Sequence, residues 1–168
     1  MTTTITYFPD KGIYIDDKMI NWDFDRFKIR NLLGNNHKED DRIIDLSKYY
    51  DGNDEYNIIQ RRDVYENYNG KENSFFLNYS KDDLLNEVEI HGGYTILIGD
   101  IKIDFDMNFY DVVSLLQSIS IDNRQISDGG YFFKDLKLTI AHNEFMGGEG
   151  EELAYFYCSK NVDHLNDE

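Results

Sequence analysis

The chain of 168 residues carries 17 Lys+Arg against 33 Asp+Glu, a formal net charge of −16, with 40% hydrophobic and 15% aromatic residues. A chain of this length buries about 68–70% of its unfolded surface on folding, and its 13 Tyr and 11 Phe supply rings for a core, so the composition excludes a disordered protein. The acid excess excludes an independent binder of nucleic acid or of anionic membranes, which needs clustered Lys and Arg, and points instead to a basic partner drawn in by long-range attraction.

The N-terminal stretch MTTTITYFPDKGIYI lacks a basic region followed by an apolar run, and no segment approaches ~18 apolar residues, so a cytoplasmic protein is expected. From Ile13 a duplication begins. Ile13 to Gly34 aligns without a gap on Ile96 to Gln117, an offset of 83 residues (96 − 13). The identical pairs include Ile15/Ile98, Asp17/Asp100, Ile20/Ile103, Asp23/Asp106 and Leu33/Leu116, and Trp22/Phe105 and Phe27/Tyr110 are similar.

Each copy opens with alternating apolar residues around a polar two-residue turn, Asp16-Asp17 or Gly99-Asp100, the signature of a β-hairpin. Asp23 and Asp106 then stand where a helix N-cap is expected. Phe24, Phe27, Leu32 and Leu33, and in the second copy Phe109, Val112, Val113 and Leu116, recur at helical spacing. Gly34 suits a helix C-terminus. The remainder of the first copy predicts strands over Asn57–Tyr65, Ser74–Tyr79 and Leu84–His91, with a turn at Asn69-Gly70. The second predicts strands over Gly130–Phe133, Leu136–His142 and Glu152–Ser159, in runs rich in β-branched and aromatic residues. The expected fold is α+β: two tandem similar units, residues 1–92 and 93–168, each a helix packed on an antiparallel sheet within one compact domain.

Catalytic and metal motifs are not found. The four histidines have no His-Glu-x-x-His spacing, and the nearest pair of candidate ligands is His142 with Glu144. Asp104, Asp106 and Asn108 imitate the start of a calcium loop, but Phe109 stands where its glycine is needed and Leu115 where its glutamate is needed. The glycines of Gly147-Gly148-Glu149-Gly150 lie among carboxylates that would repel a phosphate. Cys158 is the only cysteine, which precludes an intramolecular disulfide, and it falls in the apolar alternation of a strand. A non-enzymatic protein without metal or cofactor is expected.

Binding chemistry is easier to place. Tyr49, Tyr50 and Tyr56 bracket Asp51, Asp54 and Glu55, while Tyr68 follows Glu66. Tyrosine offers a large contact area at low entropic cost, and an adjacent carboxylate pairs bidentately with arginine. Glu149, Glu151 and Glu152 add acid in a glycine-rich hairpin loop. These eleven residues form the predicted partner-binding set.

The I-x-W/F-D step at Ile20–Asp23 and Ile103–Asp106, the helix ending Leu32-Leu33-Gly34, and Tyr131-Phe132-Phe133-Lys134-Asp135-Leu136 together resemble bacterial immunity proteins that accompany polymorphic toxins, especially in contact-dependent growth inhibition. The repeated unit also looks like the tandem repeat of β-lactamase inhibitor proteins. The resemblance implies a cytosolic antidote that binds a cognate toxin domain, often a basic nuclease, and covers its active site. Without paired cysteines or an export signal, the chain departs from the secreted lactamase inhibitors. The alternative reading is an acidic nucleic-acid mimic or adaptor that binds an endogenous basic protein.

Overall fold

A computed structural model describes residues 3–68 and 73–165 of the chain. Its first half contains β1 (Thr3–Phe8), β2 (Gly12–Ile15), β3 (Lys18–Asn21), α1 (Arg26–Leu32), β4 (Lys38–Glu39), β5 (Arg42–Ile44), β6 (Ile58–Gln60), β7 (Arg62–Glu66), β8 (Ser74–Tyr79) and β9 (Leu85–Gly92). The second half follows with β10 (Tyr94–Ile98), β11 (Ile101–Asp104), α2 (Phe109–Gln117), β12 (Asn123–Ser127), β13 (Gly130–Phe133), β14 (Leu138–His142) and β15 (Leu153–Ser159).

The expectation of two helix-on-sheet units is corrected by this architecture. Strand makes up 47% of the described residues and helix, 3₁₀ turns included, 16%, and the two α-helices among them are only 7 and 9 residues long. The sheets are large and shared. Hairpins β2–β3 and β10–β11 join one five-stranded sheet in the order β11-β10-β1-β2-β3. Strand β1, which belongs to neither copy, lies between them, parallel to β10 and antiparallel to β2. All the remaining strands except β5 and β6, which form a two-stranded ribbon, merge into one eight-stranded sheet, β12-β13-β14-β15-β9-β8-β7-β4, because the last strands of the two halves, β9 and β15, pair antiparallel. The side chains facing inward from both sheets and both helices form a single apolar cluster that includes Ile5, Ile13, Ile96, Phe75, Phe133 and Phe156. The Tyr7 hydroxyl donates to the Leu136 carbonyl (2.7 Å) and so ties β1 to the larger sheet.

Within this shared architecture the two halves run hairpin, helix, meander in the same order. Asp16 and Gly99, both at positive φ, turn the two hairpins, and the helices start at Arg26 and Phe109, again 83 residues apart. The N-caps are Asp25, whose carboxylate accepts the Lys28 N–H, and Asn108, whose side-chain oxygen accepts the Tyr110 N–H, rather than Asp23 and Asp106. A turn closed by Phe24 N–H to the Asn21 carbonyl, repeated by Met107 to Asp104, delays each helix by two residues. Helix α1 therefore buries Arg26 and Ile29, and Phe27 is 75% exposed instead of facing the core. Gly34 (φ 82°) ends α1 as expected, with Asn35 N–H reaching the Arg30 carbonyl.

Three backbone hydrogen bonds recur in both halves. Leu85 N–H to Phe24 and Leu153 N–H to Met107, Arg26 N–H to Asp83 and Phe109 N–H to Glu151, and Tyr79 N–H to Arg61 and His142 N–H to Gly129 occupy matching positions. Here the offset has fallen to 68 residues (Arg62 to Gly130, Leu85 to Leu153), and between Tyr79 and His142 it is 63, because the β14–β15 loop is five residues longer than the β8–β9 loop (10 − 5). The missing 15 residues (83 − 68) lie between α1 and β7, where the first half carries β5, β6 and their connection. The continuous strand expected over Asn57–Tyr65 is accordingly broken at Arg61. The turn expected at Asn69-Gly70 lies outside the described residues.

Candidate functional site

The inserted segment is an arm. Strands β5 and β6 pair only with each other, extending the edge hairpin β4–β7 beyond the end of the eight-stranded sheet. Ile43 faces Ile59 across the ribbon and Ile44 faces Ile58, so successive pairs put isoleucine on both of its sides. No residue from 42 to 60 is buried; Ile43 and Ile59 are 68% and 69% exposed. The tip is built from two short 3₁₀ turns, Ser47–Tyr49 and Asp54–Tyr56. The Asn57 side chain accepts the Leu46 N–H (2.8 Å) beneath them. Tyr50 and Tyr56 stack with ring centres 4.3 Å apart, and Tyr49 stands clear at 69% exposure. Asp51, Asp54 and Glu55 fringe these rings, all exposed.

The base of the arm is held by charge. The Arg26 guanidinium donates to both oxygens of Asp41 (2.7 and 2.9 Å), and Asp41 also accepts the Arg62 backbone N–H (2.9 Å). On its other side Arg26 reaches Asp63, which is fully buried and also takes Arg30. Burial pushes the Asp63 carboxyl up, but the bonds from Arg30 and Arg26 outweigh it and hold it below the usual carboxylate range. Arg26 in turn holds Asp41 low. The Tyr79 ring lies 5.0 Å from the Arg26 guanidinium carbon, and Gln60 caps the junction by donating to the Asp40 carbonyl.

The structure groups the predicted binding residues only in part. Tyr49, Tyr50, Asp51, Asp54, Glu55 and Tyr56 come together on the arm. Glu66 lies at the opposite end of β7 from the arm, since Arg62 is at the arm's end of that strand. Tyr68 is removed from the set: it is buried at 3% exposure, its ring packs against Tyr65 and Phe75, and its hydroxyl accepts the Lys18 ammonium. Glu149, Glu151 and Glu152 are exposed in the β14–β15 loop, and the registers of β7, β8, β9 and β15 place that loop at the far end of the sheet from the arm.

Sequence reasoning missed the Arg26, Asp41 and Asp63 network, although the gapless repeat alignment already set Arg26 against Phe109. It also missed the isoleucines of the arm and the cleft of about 230 Å³ between Ile58 and Ile59 of the arm and Asn78 and Glu87 of the sheet. Beside that cleft Tyr155 donates to Glu89 and stacks on Tyr157. Cys158 is fully buried, and burial pushes its thiol up. Among the described residues no three His, Cys, Asp or Glu side chains converge as metal ligands, and no helix is long and apolar enough to cross a membrane. Comparison with protein-family models, with curated proteins and with solved structures finds no match to the chain.

Proposed function

We propose that the protein is an immunity-type inhibitor: it binds a cognate toxin domain, of basic and nuclease-like surface, and neutralises it stoichiometrically by covering the active site. The observation that carries the reading is the arm. It is an insertion relative to the second half, where the helix and the meander follow one another without such a segment. It spends ordered backbone on a segment with no buried residue, and isolated two-stranded ribbons are marginal in water. Exposed Ile43, Ile59, Tyr49 and Tyr56 supply the aromatic and aliphatic anchors that interfaces bury. Asp51, Asp54 and Glu55 supply charge opposite to that of a phosphate-binding cleft, and a net charge of −16 accelerates encounter with it.

The test is co-expression in a sensitive bacterium with the C-terminal domain of whatever exported protein the gene immediately upstream encodes. The intact chain should restore growth and co-purify with that domain at a 1:1 ratio, and a chain in which residues 42–60 are replaced by a two-residue turn should do neither. Full protection by the armless chain would refute the reading.

A further inference from the structure

The matching halves offer an internal comparison of what fills one position in each. In the first half Arg61, beside Tyr79, sends its guanidinium onto Asp83 through Nε (2.8 Å) and Nη2 (2.5 Å). Carrying the recurring hydrogen bonds across the halves, Tyr79 corresponds to His142, Asp83 to Glu151 and Arg61 to Gly129. The carboxylate is retained and the guanidinium is gone. In its place is an open pocket of about 300 Å³ with Gly129 and His142 as floor, Tyr110 and Phe145 among its walls, and Asp128, Glu144 and Glu151 around it.

The chain cannot fill this pocket from position 129. A Cβ there would lie 2.6 Å from the His142 ring and 2.5 Å from the Phe145 Cβ. None of the three carboxylates has a cationic partner among the described residues. The three also fail to converge on a point as a metal ion requires, whereas a planar guanidinium spreads five N–H donors over a fork. The aromatic walls suit a guanidinium face. A second feature points the same way. His142 is buried at 6% exposure, and its Nδ1 accepts the Phe145 N–H (3.1 Å), which puts the ring hydrogen on Nε2. Among the described residues that Nε2–H has no acceptor, and it is not one of the buried unpaired polar atoms of the protein, so an acceptor arriving from outside, such as a peptide carbonyl, would bond it.

We infer that the pocket between Gly129, His142 and Glu151 binds an arginine side chain presented by a partner protein, replacing in trans the guanidinium that Arg61 supplies in cis in the first half. That the arginine belongs to a protein rests on the function proposed above; the affinity of the pocket for arginine does not.

The test is an amide-resolved NMR titration of the full chain with N-acetyl-arginine methylamide. Saturable shifts at the Gly129, His142 and Phe145 amides are expected, with a dissociation constant on the order of millimolar. The corresponding lysine compound should bind about tenfold more weakly. Glu151→Gln should weaken arginine binding about tenfold, and Glu144→Gln gives a second measurement at an exposed position where folding is not at stake. Absent shifts, or equal shifts with lysine, overturn the site. Free arginine binding far more tightly than its blocked form would make it an amino-acid site and overturn the partner assignment. Failure here leaves arm-dependent toxin binding untouched, and the loss of toxin binding alone would leave the pocket standing.

Discussion

Asp63→Ala tests the charged seat of the arm most directly. Asp63 is fully buried and accepts four hydrogen bonds, from Nε and Nη2 of Arg26 (3.2 and 2.7 Å) and of Arg30 (2.8 and 2.6 Å). Removing it leaves Arg26 buried with Asp41 and the Arg62 carbonyl (3.0 Å) as its remaining close partners and leaves Arg30 to Glu39. Breaking a buried pair on one side costs about 3–5 kcal/mol, because the surviving charge keeps its desolvation penalty. Taking a urea dependence of about 2 kcal/mol per molar, the unfolding midpoint should fall by about 2 M. The fluorescence of Trp22, the only tryptophan and a buried one, reports it. Arg26→Met combined with Asp63→Leu removes both charges and should return stability to within about 1 kcal/mol of the parent, since apolar replacement of a buried pair is commonly neutral. A midpoint loss below about 0.5 M for Asp63→Ala, with the urea dependence unchanged, would show that water reaches the network and would refute the reasoning.

Four further outcomes are expected. The Asp41 and Asp63 carboxyls are held below their ordinary value, so their stabilisation is fully present above about pH 4 and is lost as pH falls through the folded-state values; urea midpoints between about pH 5 and 2.5 should drop for the parent more steeply than for the Arg26→Met, Asp63→Leu chain. Trp22→Ala should cost about 3–5 kcal/mol by leaving a cavity and an unused Pro9 carbonyl, and an unchanged melting midpoint would place the indole in solvent. Replacing residues 42–60 by a short turn should change stability by less than about 1 kcal/mol because none of them is buried, which calorimetry checks. Reversing Asp54 and Glu55 to lysine should slow association with the toxin domain at low salt and leave the melting temperature unchanged, and the parent's on-rate should itself fall about tenfold between low and high salt.

How much of this was legible in the sequence follows from the range of the interactions. The hairpin turns, the helix bodies and strands such as Ser74–Tyr79 and Gly130–Phe133 are written in local periodicity and turn chemistry. The overall architecture is not. Strand β1 has no counterpart in the duplication, so a reading organised by the repeat leaves it as a tail, and its wedging between β2 and β10 is a long-range pairing. The fusion of the meanders through β9 and β15 is equally non-local. Tyr68 misled because a ring next to a carboxylate reads as surface, whereas it is buried against Tyr65 and Phe75 of the paired strands β7 and β8 and under Lys18, which comes from 50 residues away. The arm's tyrosines and acids were legible as a cluster; that they project from the sheet edge follows only from β5 pairing with β6 and nothing else.

The duplication also separates what the framework needs from what was added to it. At the junction between helix N-terminus and sheet, both halves keep the same backbone hydrogen bonds. The side chains there differ completely: Arg26 against Tyr79 in one half, and Phe109 against His142, ring centres 5.2 Å apart, in the other. A contact that phenylalanine and histidine make without ion pairs does not require a buried arginine. The ion network therefore answers to something the second half lacks, and the segment that adjoins it and is absent from the second half is the arm, whose first residue lies directly after Asp41. On this argument Arg26 and Asp63 sit under the arm to hold Asp41 and with it the direction in which Tyr49, Tyr56 and the isoleucines are presented. In the second half Glu151, which matches Asp83, has no guanidinium partner among the described residues.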